Sequence, residues 1–99
     1  MRPIYLATVG KRRAVVVLTR ESVRPYLEWV TVAPITSTSK GLTTEVPVGR
    51  ANGLDHESVI SCDNIATIAV GELGEQIGYL LDAQEAQLTE AIVAAFDLD

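Results

Sequence analysis

The sequence holds one cysteine, one histidine and no lysine or arginine beyond position 50. A lone Cys62 leaves no partner for an internal disulfide, so the chain does not read as a disulfide-stapled secreted scaffold. A lone His56, in a turn remote in sequence from the motifs described below, excludes a pair of histidines dividing acid and base work. No close Asp/Glu/His/Cys spacing resembles a metal site, so neither a metal nor a cofactor is expected. No apolar run approaches the roughly 20 residues of a membrane span. The start, Met1-Arg2-Pro3-Ile4-Tyr5-Leu6, has one basic residue and no long apolar region, unlike a secretory leader. A cytoplasmic location is expected.

What is present fits one folded domain over residues 1–99: that length supports a core but not two domains. With 47% hydrophobic and 21% charged residues the chain is ordinary for a folded protein, which excludes disorder. The charge is divided along the chain. Residues 1–50 carry all eight Lys and Arg against three acids, a net of +5; residues 51–99 carry ten acids and no base. A basic face for an anion, with acid elsewhere, is the expectation. The acidic half needs no role beyond solubility.

The apolar pattern predicts short strands at Ile4–Thr8, Ala14–Thr19, Trp29–Ile35, Thr43–Val48, Ser58–Cys62, Ala66–Val70 and Gln76–Leu80. Gly10 permits a tight turn in Val9-Gly10-Lys11-Arg12, and Asn52-Gly53 is a strong turn signal. Ser22–Glu28, with Pro25 inside it, reads as a loop or a single helical turn. At the C-terminus the period changes. Asp82-Ala83-Gln84-Glu85 has capping-box spacing with Asp82 at the cap, and Leu88, Ile92, Ala95 and Phe96 recur at helical spacing. Many short strands and one helix leave no room for parallel crossovers, so the expected fold is mainly β: a small, strongly curved or barrel-like sheet capped by a C-terminal helix.

Two strand mouths carry the candidate chemistry. Lys11-Arg12-Arg13 runs directly into the apolar block Ala14–Leu18. Val30–Ile35 breaks into the hydroxyl run Thr36-Ser37-Thr38-Ser39 and then Lys40. If the strands are neighbours, a guanidinium and a hydroxyl meet at one rim, an arrangement suited to phosphate. Each residue also has a plain reading. Arg13 could form a surface ion pair, Thr36 could bond its own loop, and Asn64 could end a strand as readily as contact a base. Cys62 reads as a small core residue, and Tyr5 and Tyr79 as half-buried strand positions that are also able to stack on bases.

These residues carry a resemblance. Arg13-Ala14-Val15-Val16-Val17-Leu18 and Ala33-Pro34-Ile35-Thr36-Ser37 resemble two motifs of the MazF/PemK toxin endoribonucleases. Gly41–Pro47, Ser58–Ile65 and Ile77-Gly78-Tyr79-Leu80 before a helix are similar to further stretches of that family, in the same order. The resemblance implies an SH3-like barrel that forms a homodimer and cleaves single-stranded RNA at a short sequence without a metal, inhibited by a cognate MazE-like antitoxin. It implies Arg13 and Thr36 as the catalytic pair. Lys11, Arg12, Ser37, Thr38, Lys40 and Asn64 are then candidate RNA contacts. Ala14 stands where the family usually has proline, the first connection is short, and Ala66 replaces a commonly polar residue. Two other classes remain open on the same residues: a non-enzymatic, gyrase-poisoning toxin on a related fold, and a protein-interaction barrel.

Overall fold

The computed structural model describes residues 1–98. Seven strands precede one helix: β1 (Pro3–Val9), β2 (Lys11–Val17), β3 (Trp29–Thr36), β4 (Glu45–Val48), β5 (Ser58–Ser61), β6 (Ala66–Ala69), β7 (Leu73–Tyr79) and α1 (Asp82–Phe96). Short 3-10 turns at Arg24–Tyr26, Arg50–Asn52, Cys62–Asn64 and Val70–Glu72 join them. All pairings are antiparallel, in the order β4-β5-β3-β2-β1-β7, with β6 added to β3. No ladder joins β4 to β7 among the described residues, so the curved sheet is open at its hydrogen-bonded edges.

The β1–β2 hairpin is tighter than its sequence predicts. Pairing continues to Val9 opposite Lys11, leaving Gly10 alone at the tip with φ 74. Lys11, Arg12 and Arg13 therefore belong to the strand and not to the connection. Cross-strand pairing overrides the weak strand propensity of a basic run. Other boundaries shift similarly: β4 starts at Glu45 because Leu42–Glu45 is a turn, and β7 begins three residues earlier than Gln76.

β3 is the hub. Its first half, Trp29–Val32, pairs with β6, while Ile35 and Thr36 pair with β5 on the same side of the strand. One core layer holds Ile4, Val16, Ala33, Ile35, Val46, Ile60, Leu80, Leu88 and Ala91; Ala7, Val15, Val17, Val30, Val32 and Ile68 form the other. The period of 2 assigns Val16 to one layer and Val15 and Val17 to the other. With strands buried on both faces, the Val-rich run reads as continuous instead of alternating.

The helix differs from its predicted cap. Leu81, and not Asp82, precedes the first helical residue, and its N–H donates to Gln84 Oε1 at 2.9 Å. Phe96, predicted to face inward, is 54% exposed, while Ala91 is buried beside Leu88. Gln84 also joins a buried amide network. Asn52, 1% exposed, accepts from Gly49 N and Gln84 Nε2 and donates to Tyr79 O at 2.9 Å and Gln84 Oε1 at 2.6 Å. Gly53 and Gly78 make room for this crossing: a Cβ on Gly78 would lie 1.8 Å from Asn52 O, and one on Gly53 2.0 Å from Ile77 O. The Asn52-Gly53 turn is thus pinned to β7 and α1 from both sides.

Candidate RNA-cleavage site

The β2–β3 ladder pairs Val17 with Val32, Val16 with Ala33 and Val15 with Pro34, and ends there. Continued by two residues, the same register brings Arg13 opposite Thr36. Both line two adjoining clefts, so the pair stands on a shared wall where the strands cease to be bonded.

The first cleft, of about 540 Å³, is also lined by Lys11, Arg12, Ser37 and the turn Gly53–His56, over apolar atoms of Leu6, Ala14, Ile35, Leu54 and Ile77. The second, of about 370 Å³, is lined by Arg13, Thr36, Thr38, Lys40, Asn64, Glu45, Asp63 and neighbours. The two strand mouths thus meet, and of the predicted contacts Lys11, Arg12 and Ser37 fall in one cleft and Thr38, Lys40 and Asn64 in the other.

Arg13 is held without being neutralised. Its strand position opposite Ala7 fixes the backbone, and no carboxylate pairs with it among the described residues. Its Nε is inaccessible to solvent and has no hydrogen-bond partner. An unmatched buried donor costs about 1–3 kcal/mol. Arg12 lies against β7: Nη2 is 3.2 Å from where a Cβ on Gly74 would sit.

Thr36 Oγ1 accepts from Thr38 N at 3.2 Å, so the hydroxyl does bond to its own loop. That bond occupies a lone pair and leaves the O–H free to donate. The loop beyond is organised by Glu45, whose carboxylate accepts from Leu42 N at 3.0 Å, Lys40 N at 3.1 Å and Ser39 Oγ at 3.3 Å. The Leu42 N–H is the main influence holding this carboxyl below its ordinary 4.5; desolvation opposes it, and Lys40, Ser39 and Gly41 reinforce it. Lys40 is therefore held by its backbone, while its ammonium forms no ion pair among the described residues. Asn64 Nδ2 donates to Ser61 Oγ at 2.8 Å, and Thr44 Oγ1 donates to Asp63 Oδ2 at 2.6 Å.

Three residues alter the sequence-based picture. His56, remote along the chain, shares the first cleft with Arg13 and Thr36, its Nδ1 2.6 Å from Asp55 Oδ1. Asp55 and Asp63, from the acidic half, also reach the clefts, so charge does not divide in space as it does along the chain. Only the Asn52-Gly53 turn signal hinted at this wall. Cys62 is buried as expected, its thiol pushed up to about 11 by burial and secondarily by Asp63. No group of three or more His, Cys, Asp or Glu is placed to hold a metal among the described residues.

Comparison with known proteins fits this geometry. Residues 4–96 match the family described as PemK-like, MazF-like toxin of type II toxin-antitoxin system. The chain belongs to the PemK/MazF toxin family. It is 63% identical over 99 residues to Endoribonuclease MazF3 of Mycobacterium tuberculosis, covering 100% of this chain and 96% of that protein. The structure of Mycobacterium tuberculosis toxin MazF-mt6 superposes with a TM-score of 0.97 at 62% identity, covering 99% of both chains. A mycobacterial endoribonuclease solved in complex with its cognate antitoxin shares the fold, with a TM-score of 0.87 at 21% identity over 98% of this chain and 93% of that one. The Arg13 and Thr36 strand mouths thus sit in a PemK/MazF fold over nearly the whole chain.

Proposed function

We propose that this PemK/MazF protein is an endoribonuclease toxin that cleaves single-stranded RNA at a short sequence, with Arg13 and Thr36 as its catalytic pair. The observation that carries the residue assignment is Arg13 itself: an unpaired guanidinium with a buried, partnerless Nε, in register with a hydroxyl, on the wall shared by two clefts.

The chemistry follows from RNA. The ribose 2′-OH attacks the adjacent phosphorus, an O2′–P bond forms, and the P–O5′ bond breaks. The products are a 2′,3′-cyclic phosphate and a 5′-hydroxyl, so no external nucleophile and no metal is required. The protein must align the attack and stabilise charge on the non-bridging oxygens. Arg13 suits the second task, because its guanidinium stays charged and forks onto two oxygens. Thr36 donates to a phosphate oxygen or orients the 2′-OH. Lys11, Arg12 and Ser37 on one side, and Thr38, Lys40 and Asn64 on the other, follow the strand away from the scissile phosphate.

The working unit in this reading is a cytoplasmic homodimer of an SH3-like, single-domain barrel. A two-fold contact doubles the basic surface and extends the groove. The family description implies an antitoxin, which on this account occupies the RNA groove. Incubating the purified protein with mixed RNA in EDTA and mapping new 5′ ends tests the proposal. Sites sharing a short sequence are the expected result; no cleavage, with retained folding, would instead favour the non-enzymatic toxin.

A further inference from the structure

The first cleft has a construction that phosphate binding does not explain. Beside its cations it is lined by Leu6, Ala14, Ile35, Leu54 and Ile77, and by Asp55. A carboxylate repels a phosphodiester, so Asp55 is misplaced for a backbone contact. Apolar side chains set among polar groups instead suit a flat heterocycle with a polar edge. The cations of the same cleft, Lys11, Arg12 and Arg13, all lie on β2 and are available to the backbone; the facing turn presents Asp55 and His56.

That turn is rigid where it matters. Asn52 is locked to Tyr79 and Gln84, and Gly53 and Gly78 allow the turn to rest directly on β7. Two residues on, the side chains of Asp55 and His56 are exposed and, among the described residues, joined only to each other, Nδ1 to Oδ1 at 2.6 Å. With the Nδ1 proton donated to Asp55, the pair offers Asp55 Oδ2 and the neutral His56 Nε2, both acceptors.

We propose that Asp55 and His56 read the edge of the nucleobase seated in this cleft, next to the scissile phosphate, and select a base bearing an amino group over uracil. The proposal rests on the endoribonuclease reading and names its specificity at one position. Carboxylate acceptance from a base amino group is an established mode of direct readout. Uracil has no amino group; its single edge donor, N3–H, is flanked by two carbonyls that face the acceptor pair, which is disfavoured. The other charged groups lining the cleft are Lys11, Arg12 and Arg13.

The test is a cleavage profile on RNAs randomised around the mapped site, for the native protein, Asp55→Asn and His56→Gln. Both side chains are largely exposed, 92% and 60%, so the variants are expected to fold, as thermal melts would verify. At one position flanking the cleaved bond the native protein is expected to disfavour uracil about tenfold. Asp55→Asn, which turns half the carboxylate into a donor, is expected to erase that preference and leave the other positions unchanged. His56→Gln is expected to weaken it. An unchanged profile in both variants, or uniform loss of rate with no change in preference, overturns the proposal. Binding is followed in parallel with oligonucleotides made uncleavable by 2′-deoxyribose at the attacking position. Position-specific binding that responds to Asp55→Asn, without cleavage of normal RNA, would sink the endoribonuclease reading and keep the base-reading role. Failure of both signals sinks both.

Discussion

Arg13 and Thr36 line the same two clefts, each two residues past the last paired positions of β2 and β3, Val15 and Pro34. Their positions are thus set by strand geometry, at the point where β2 and β3 cease to pair. One residue supplies a permanent charge and the other a neutral hydroxyl. Arg13→Ala is expected to lower single-turnover RNA cleavage on the order of a hundredfold or more while leaving the fold intact, and Thr36→Ala to lower it less. Quench-flow rates beside circular dichroism check both.

The amide network makes a stability prediction. Gln84→Ala leaves the buried Asn52 amide short of two partners, Nε2 and Oε1 of Gln84. An unsatisfied buried amide costs about 1–3 kcal/mol, and in a chain of this size each 1 kcal/mol lowers Tm by roughly 4–8 °C. Gly78→Ala is expected to be worse, because its Cβ meets backbone at Asn52 and has nowhere to go. Calorimetric melts of the two variants give the order.

The Lys40 loop is expected to loosen in acid. Glu45 titrates below 4.5 in the folded chain, so its ordering of the loop is complete above that value. It is lost as pH falls through the lower folded value. Glu45→Gln should mimic the effect at neutral pH, read as faster hydrogen exchange at the Lys40 and Leu42 amides. No change at those two amides would mean the carboxylate does not hold the loop.

Cys62 is expected to resist alkylation near pH 8, since burial keeps its thiol neutral up to about 11. Iodoacetamide labelling followed by mass spectrometry should show modification only where the protein unfolds. Rapid labelling of the folded chain would place the thiol outside the core.

Much of the fold was legible in the sequence because its signals are local. The Val-rich blocks, Gly10, Asn52-Gly53 and the change of period after Leu81 mark strands, turns and helix directly. The catalytic candidates were legible too, each at the mouth of an apolar run. Tertiary contacts hid the rest. Lys11–Arg13 joined β2 because β1 pairs with them, and Leu81 displaced Asp82 as the cap because Gln84 is recruited by Asn52. Phe96 lies past the end of the helix's packed stretch, where spacing alone still reads inward. Nothing local announces that Asp55 and His56 share a cleft with Arg13; that proximity depends on Gly53 resting on Gly78, about 25 residues away.

The central claim, that Arg13 stabilises the transition state of 2′-OH attack, is tested most directly by cleavage of one mapped RNA oligonucleotide in EDTA by the native protein and by Arg13→Ala. Rapid, metal-free cleavage by the native protein, to a 2′,3′-cyclic phosphate and a 5′-hydroxyl, and near-complete loss in the folded variant are expected. Cleavage that requires magnesium, fragments bearing a 5′-phosphate, or an Arg13→Ala protein of native rate would contradict it.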